Sequence, residues 1–342
     1  MPEPRGVAGW LERVWYGGQG GMGLRPFSLL YRVVLGLRSR CYRLGVFRSE
    51  RIDVPVIVVG NLTVGGTGKT PLTAWLVAQL LDLGRKPGVA TRGHGRKGQG
   101  VLRVRASHSA AEVGDEPLLL ARRTGVPVCV AARRADAGRA LQAEGCDIIV
   151  CDDGLQHLAL GRDLEIAVID GRRGLGNGRL LPSGPLREPE SRLGAVDFIV
   201  LNGADEASAR RWPEALRMQL SGSLAQPLDP AGAARPLSSF AGQRVHAVSG
   251  IGNPQRFFGS LRDQGIDVVE HPFPDHHAFV AGDLAFGDAA PVIMTEKDAV
   301  KCEAFADTRC WYVPVEAGFP AADAARLLAG LESLCRRGER NR

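Results

Sequence analysis

No two cysteines in the 342-residue chain are spaced C-x-x-C. The seven present, Cys41, Cys129, Cys146, Cys151, Cys302, Cys310 and Cys335, are odd in number, and Cys129 and Cys151 fall in apolar, strand-like runs. Zinc and disulfide scaffolds are excluded, and reduced, buried thiols of a cytoplasmic protein are expected. Also missing is an uncharged run of the ~18 residues that a membrane-spanning helix needs. The opening "MPEPRGVAGW" has no small-residue cleavage site behind a clean apolar core, so no secretory signal is expected. There is no repeat at solenoid periods and no RNA- or DNA-binding motif, so no nucleic-acid partner is expected. Nothing points to an obligate protein partner.

What remains is an ordinary folded composition, 44% hydrophobic and 23% charged, in a chain long enough for two domains. The net charge of +6 is concentrated at the start, where residues 1–50 hold eight arginines against Glu3, Glu12 and Glu50. The basic tail "CRRGERNR" reads as frayed and solvated. Between Leu24 and Phe47, Arg25, Ser28, Arg32, Gly36, Ser39 and Arg43 share one helical stripe, while Phe27, Leu30, Val34, Leu37 and Cys41 lie elsewhere. That pattern suits an interfacial helix on an anionic leaflet, and equally a core helix with solvated arginines.

From Val54 onward, apolar runs at 54–60, 86–91, 126–131, 147–152, 164–170 and 197–202 alternate with helical periods such as 71–83 and 136–144. This predicts an α/β fold with a parallel sheet covered on both faces and a ligand site at the strands' carboxyl ends. The Gly-, Ala-, Pro- and Ser-rich stretch 221–243 reads as an interdomain connection. Beyond it, strands at 244–250, 266–270, 290–295 and 310–315 and helices near 254–264 and 321–334 predict a smaller α/β domain. The expected division is a membrane-proximal helical region (1–50), a nucleotide-binding domain (51–222), a linker (223–243) and the smaller domain (244–342), whose last helix can pack back on the first.

"GNLTVGGTGKT", Gly60 to Thr70, follows the first apolar run. Gly65, Gly66 and Gly68 free backbone N–H groups to face phosphate, Lys69 reaches the β- and γ-oxygens, and Thr70 offers a hydroxyl to Mg²⁺. Thr63 stands where the usual loop has its first glycine; with Val64 and Thr67 it completes the expected ATP-binding stretch. Asp152 and Asp153, ending the run from Ile148, supply a metal-site carboxylate, and alternation lets only one of them point directly at the metal. The alternative is a plain strand-exit turn at Asp152-Asp153-Gly154. Asp115 in "VGDEPLLLARRTG" reads locally as a helix N-cap, although a kinase acting on an alcohol also wants a carboxylate at such a turn. His276 and His277 in "FPDHHAF" point oppositely on an extended chain and read as a surface turn; "TEKDAVK" (295–301) reads as a capped helix start.

Taken in order, "GNLTVGGTGKTP", "TRGHGRK", "VGDEPLLLA", "DDGLQH", "LLPSGPLREP", "SGIGNPQRF", "FPDHHAF" and "TEKDAVK" resemble the tetraacyldisaccharide 4'-kinase (lipid A 4'-kinase) family over nearly the whole chain. The resemblance implies a P-loop NTPase-like αβα sandwich with a second, smaller α/β domain and an N-terminal amphipathic helix. It implies Mg²⁺-dependent transfer of the ATP γ-phosphoryl group to the 4'-hydroxyl of a tetraacylated glucosamine disaccharide 1-phosphate. The place would be the cytoplasmic face of the bacterial inner membrane, with the protein peripheral or monotopic on anionic lipid. It makes Asp115 the catalytic base, supported by His276, and puts Asp152 and Asp153 at the metal. Glu116, Gln156, Arg187 and Glu188 become candidates for substrate or nucleotide contact, as does Arg134, with Arg133 competing. His94-Gly95 stands where the pattern has an aromatic residue before glycine. The tail "GGTGKT" is also similar to the deviant P-loops of partitioning and metal-insertion ATPases, but those carry lysine where this chain has Val64.

Overall fold

The computed structural model describes residues 7–18, 20–94, 96, 98–229 and 231–340. The expectations for the first residues of "MPEPRGVAGW", for Gly95 and Lys97, and for the last two residues of the basic tail lie outside the described residues. Two helices, α1 (Val7–Tyr16) and α2 (Arg25–Arg43), precede the first strand. A sheet is then built from β1 (Val56–Gly60), β2 (Pro87–Thr91), β3 (Leu102–Arg103), β4 (Val128–Val130), β5 (Ile148–Cys151), β6 (Leu164–Asp170), β7 (Phe198–Asn202) and β8 (Leu216–Ser221). A smaller sheet follows with β9 (Leu224–Pro227), β10 (Arg235–Pro236), β11 (Arg244–Ser249), β12 (Asp267–Pro272), β13 (Val292–Thr295) and β14 (Cys310–Val313). The chain then returns: β15 (Glu316–Gly318) joins the larger sheet, whose order is β15-β8-β7-β6-β1-β5-β2-β4-β3.

All pairs from β8 to β4 in that order are parallel, and only the edge strands β15 and β3 run antiparallel. Parallel strands need helical crossovers, which cover both faces. The helices α3 (Lys69–Asp82), α4 (Ala110–Val113), α5 (Asp115–Thr124), α6 (Arg134–Ala143) and α7 (Glu206–Arg211) serve the larger sheet, and α8 (Pro254–Arg262) and α9 (Glu296–Cys302) the smaller. The last helix, α10 (Ala321–Arg340), places Leu327, Leu331 and Leu334 in one core cluster with Ile57, Leu72, Leu76, Val150 and Ile166. On the opposite face, Val56, Val58, Ile149 and Ala167 pack with Ala135 and Leu141 of α6 and with Tyr31 and Leu35 of α2. This is the αβα sandwich expected from the sequence. Full burial of a side chain such as Leu72, Leu76 or Leu80 contributes about 1.5–3 kcal/mol.

Residues 223–243 do more than connect: they carry β9, β10 and a short 3₁₀ turn, with Leu237 and Phe240 buried in the smaller core. Short edge strands broken by Pro and Gly leave little periodicity to read. β8 likewise lacks a continuous apolar run, because Leu216 and Met218 are buried while Arg217 and Gln219 are exposed. On α2 no residue is buried. Ser28 and Tyr31 bond the larger unit, Ser28 through the carbonyl of Leu180 at 2.9 Å. Phe27, Leu30, Val34 and Leu37 are more than half exposed, so the apolar side of this helix is not a core face. Among the described residues no helix is long and apolar enough to cross a membrane.

Candidate active site

β1 lies at the centre of its sheet, directly between β5 and β6, so the loop after Gly60 and the acids after Cys151 emerge side by side at the carboxyl ends of the strands. Positive φ is needed at only two points of the loop, Gly65 (103°) and Gly68 (94°). Thr63 sits in an antiparallel bridge with Leu186, and Val64 N donates to the Pro185 carbonyl at 2.9 Å. Extended backbone there makes the missing glycine unnecessary and ties the loop to the "LLPSGPLREP" segment. Asn61 Nδ2 donates to the carbonyls of Thr63 (2.8 Å) and Gly65 (3.3 Å), closing the loop from within. From β7, Asn202 Nδ2 donates to the Thr67 carbonyl at 2.9 Å, and its Oδ1 accepts from Arg256 of α8 at 2.6 Å.

Lys69 opens α3 and donates to Asn61 Oδ1 at 3.1 Å, with Asp153 Oδ1 at 3.5 Å. The two adjacent acids have different surroundings. Asp152 is buried; its Oδ1 accepts from Thr73 Oγ1 at 3.1 Å, and its Oδ2 has no partner among the described residues. Burial, and then the neighbouring charge of Glu116, push its carboxyl above the usual range. An orphaned, buried carboxylate oxygen beside the Thr70 hydroxyl's helix suits a hard cation. The described residues contain no cluster of three His, Cys, Asp or Glu able to hold a metal alone, so the remaining ligands would be phosphate and water, as Mg²⁺ prefers. Asp153, at a left-handed φ of 50°, gives both oxygens to Arg187 Nη1 at 3.2 Å, and its carbonyl accepts from Arg134 Nη2 at 3.0 Å. Burial raises its pKa, but Lys69 and Arg187 outweigh that and hold it at about 2. Arg133 points away to Glu50.

Asp115 is the first residue of α5, not its cap. Gly114 holds the cap position at φ 94°, where a Cβ would come within 3.0 Å of the His94 carbonyl. With its backbone thus placed, the buried Asp115 side chain turns toward the smaller unit, where Oδ2 meets His276 Nδ1 at 3.0 Å. His276, at a left-handed φ of 61°, faces Asp115, whereas His277 faces Asp283 at 3.0 Å. Burial alone would raise the Asp115 carboxyl; the His276 hydrogen bond and the charges of Lys297, His276 and Lys301 hold it at about 2. His276 is raised above its ordinary value, first by the hydrogen bond to Asp115. A cavity of about 620 Å³ opens beside the pair, lined by His94, Ser109, Arg122, Phe279 and Lys301 among others. The His94 ring lies 5.0 Å from that of His276.

Of the other expected residues, Gln156 Nε2 donates to the Asn61 carbonyl and to Glu188 Oε2, both at 3.0 Å, and Glu116 meets Lys297 at 3.1 Å. Arg38 of α2 donates to the Gln156 carbonyl at 3.0 Å, and Tyr31 to that of Arg187 at 3.0 Å. α2 is therefore wired to the site. Sequence reasoning assigned nothing to Asn61, Asn202 or Lys297. Asn61 and Lys297 lie inside the quoted blocks "GNLTVGGTGKTP" and "TEKDAVK", which was the available signal; Asn202 merely ends an apolar run.

A central parallel strand, a glycine-turned loop into Lys69-Thr70 and a buried acid on the adjacent strand define a P-loop protein that uses a nucleoside triphosphate. The family model described as Tetraacyldisaccharide-1-P 4'-kinase (LpxK) matches residues 21–333, and the chain belongs to that family. It is 52% identical over 312 residues to the tetraacyldisaccharide 4'-kinase of Alkalilimnicola ehrlichii, covering 91% of this chain and 92% of that protein. To the enzyme of the same name from Methylobacillus flagellatus it is 49% identical over 328 residues, covering 95% and 96%. Its fold is similar to the crystal structure of "apo" form LpxK from Aquifex aeolicus in complex with ATP, with a TM-score of 0.73 and 28% identity, covering 93% of this chain and 99% of that one.

Proposed function

We propose that this chain is a kinase transferring the γ-phosphoryl group of ATP to the 4'-hydroxyl of a tetraacylated glucosamine disaccharide 1-phosphate, working at the cytoplasmic surface of the inner membrane. The observation that carries the site assignment is the Asp115–His276 pair, joined across two sheets beside Glu116, whose charge reaches Asp152 of the phosphate-loop side. Asp115 Oδ receives the proton of the acceptor hydroxyl as its oxygen bonds to the γ-phosphorus and ADP leaves. His276 orients that carboxylate. The loop from Thr63 to Thr70 cradles the phosphates. Lys69, Arg187 and Arg134 gather positive charge where negative charge develops, with Asp153 aligning Lys69 and Arg187. Thr70 and Asp152 would hold Mg²⁺, with Asp153 beside them. When bound, the ion neutralises phosphate charge. Glu116, Gln156 and Glu188 complete the polar wall offered to substrate.

The apolar side of α2, with Arg25, Arg32, Arg40 and Arg43 exposed among it, suits a peripheral helix on anionic lipid, which brings the site to acyl chains that stay in the bilayer. We take the kinase unit as 51–222 together with the returning 316–340, and the smaller unit as 223–315.

The test is ATP- and Mg²⁺-dependent phosphorylation of detergent-dispersed disaccharide monophosphate. Wild type transfers phosphate, and Lys69→Ala and Asp115→Ala each lower kcat by about 10²–10⁴. Wild type that phosphorylates no such lipid sinks the reading; unchanged activity in Asp115→Ala sinks the base assignment.

A further inference from the structure

The reaction leaves unused the motif Thr295-Glu296-Lys297-Asp298 at the start of α9. Thr295 and Asp298 have structural work: Thr295 Oγ1 accepts from Asp298 N at 3.2 Å, capping the helix, and buried Asp298 accepts from Gly250 N at 2.9 Å. Glu296 pairs with Arg123 of α5 at 2.9 Å. Lys297 does something else. Its Nζ donates to Glu116 Oε1 at 3.1 Å and to Asp275 Oδ1 at 3.2 Å, with His276 Nε2 at 3.5 Å and Asp115 Oδ2 at 3.9 Å. One ammonium therefore touches the residue adjoining each half of the Asp115–His276 pair, Glu116 on the larger unit and Asp275 on the smaller. Its side chain is only 16% exposed, so its desolvation is offset by these carboxylates and by little else.

We infer that Lys297 is a positioning residue, a clamp that fixes the Asp275-His276 turn against the start of α5 so that His276 Nδ1 stays on Asp115. This rests on the reading of Asp115 as the base. The charged and titratable groups facing the pair are Glu116 from α5, Asp275 from the turn, His94 from the loop after β2, and Lys297 and Lys301 from α9. Lys301, 4.0 Å from Asp115, is engaged by Asp298 at 2.8 Å and pairs with neither Glu116 nor Asp275. Without Lys297 three carboxylates crowd one imidazole, and among the described residues no other cation pairs with both Glu116 and Asp275. An arginine can bridge two carboxylates, whereas methionine fills the space and bridges nothing.

Two readouts on the full-length protein separate a clamp from a bystander. In Lys297→Met, kcat in the lipid kinase assay falls about 10- to 100-fold while KM for ATP moves less than about threefold, and Lys297→Arg recovers most of the loss. Side-chain NMR of His276 supplies the sign. The bond to Asp115 raises the wild-type midpoint, while the nearby Lys297 charge on its own lowers it. Loss of a clamp releases the imidazole, so the midpoint drops back toward the ordinary histidine value, and Lys297→Arg restores it. A midpoint that rises or stays put in Lys297→Met, or equal loss of kcat in the Met and Arg variants, overturns the inference. Wild type inactive on lipid refutes the functional reading, while the NMR titration still decides the clamp. If Lys297→Met does not yield folded protein, Lys297→Gln carries the same comparisons.

Discussion

Asp115 and His276 are shifted in opposite directions by one hydrogen bond, which gives the contact between the two units a pH window. Asp115 is depressed from 3.8 to about 2, so its contribution to stability is present above its unfolded pKa and lost as pH falls through about 2. His276 is raised above 6.5, so its contribution is full below that value and lost as pH rises through the folded pKa. Both are at full strength only between the two ordinary values. The melting temperature of wild type should exceed that of His276→Gln by most near about pH 5, between the two ordinary values, with the gap shrinking as pH rises through the raised His276 pKa; a gap independent of pH would show that the pair does not hold the units together. The sequence displays Asp115 and His276 as unremarkable turn residues because the partners are 161 positions apart. Only the resemblance linked them. Lys69 and Asp152 were readable because each is fixed by its own strand-and-loop context, and Thr63 became intelligible only once its bridge to Leu186 was seen.

At the scale of elements, legibility followed burial. β1, β5 and β6 are buried at every position, so their runs are apolar almost throughout, Glu165 and Asp170 of β6 excepted, and stood out as strands of a covered parallel sheet. β9 and β10 are short and partly exposed, and their composition mimics a linker. α2 was readable as amphipathic, but its orientation was not: Tyr31 and Arg38 face the protein and Leu30 and Val34 face outward. If that outward face enters lipid, Leu30→Glu with Val34→Glu should weaken binding to phosphatidylglycerol vesicles by about tenfold or more, without loss of ATPase-site folding, because each apolar side chain withdrawn forfeits on the order of 1 kcal/mol. Binding by wild type should also fall as salt rises, since Arg25, Arg32 and Arg43 act through a screened field. Vesicle sedimentation measures both, and equal binding by the double variant would remove α2 from the membrane.

For the whole molecule, the distant feature that matters most is the return of β15 and α10 to the larger sheet. Leu331 is fully buried there, so Leu331→Ala should cost about 2–5 kcal/mol in urea unfolding. The loss should loosen the phosphate-loop unit, although the substitution lies far beyond it in sequence; a loss confined to the smaller unit would contradict the shared core. The sequence allowed the last helix to pack back in this way without fixing it, and the residues show why. The amphipathic period of α10 announces a helix, but nothing local says which of two sheets it covers.

The chain passes between the units twice, and the passages touch: a Cβ on Gly222 would lie 2.7 Å from the Pro314 carbonyl and from the Val313 side chain. The smaller unit is thus an insertion hung on two adjoining strands. During synthesis the apolar face around Phe198 and Leu216 must wait, uncovered by α10, until the entire insertion has left the ribosome. The phosphate-loop half, made earlier, is in this sense the last to be finished.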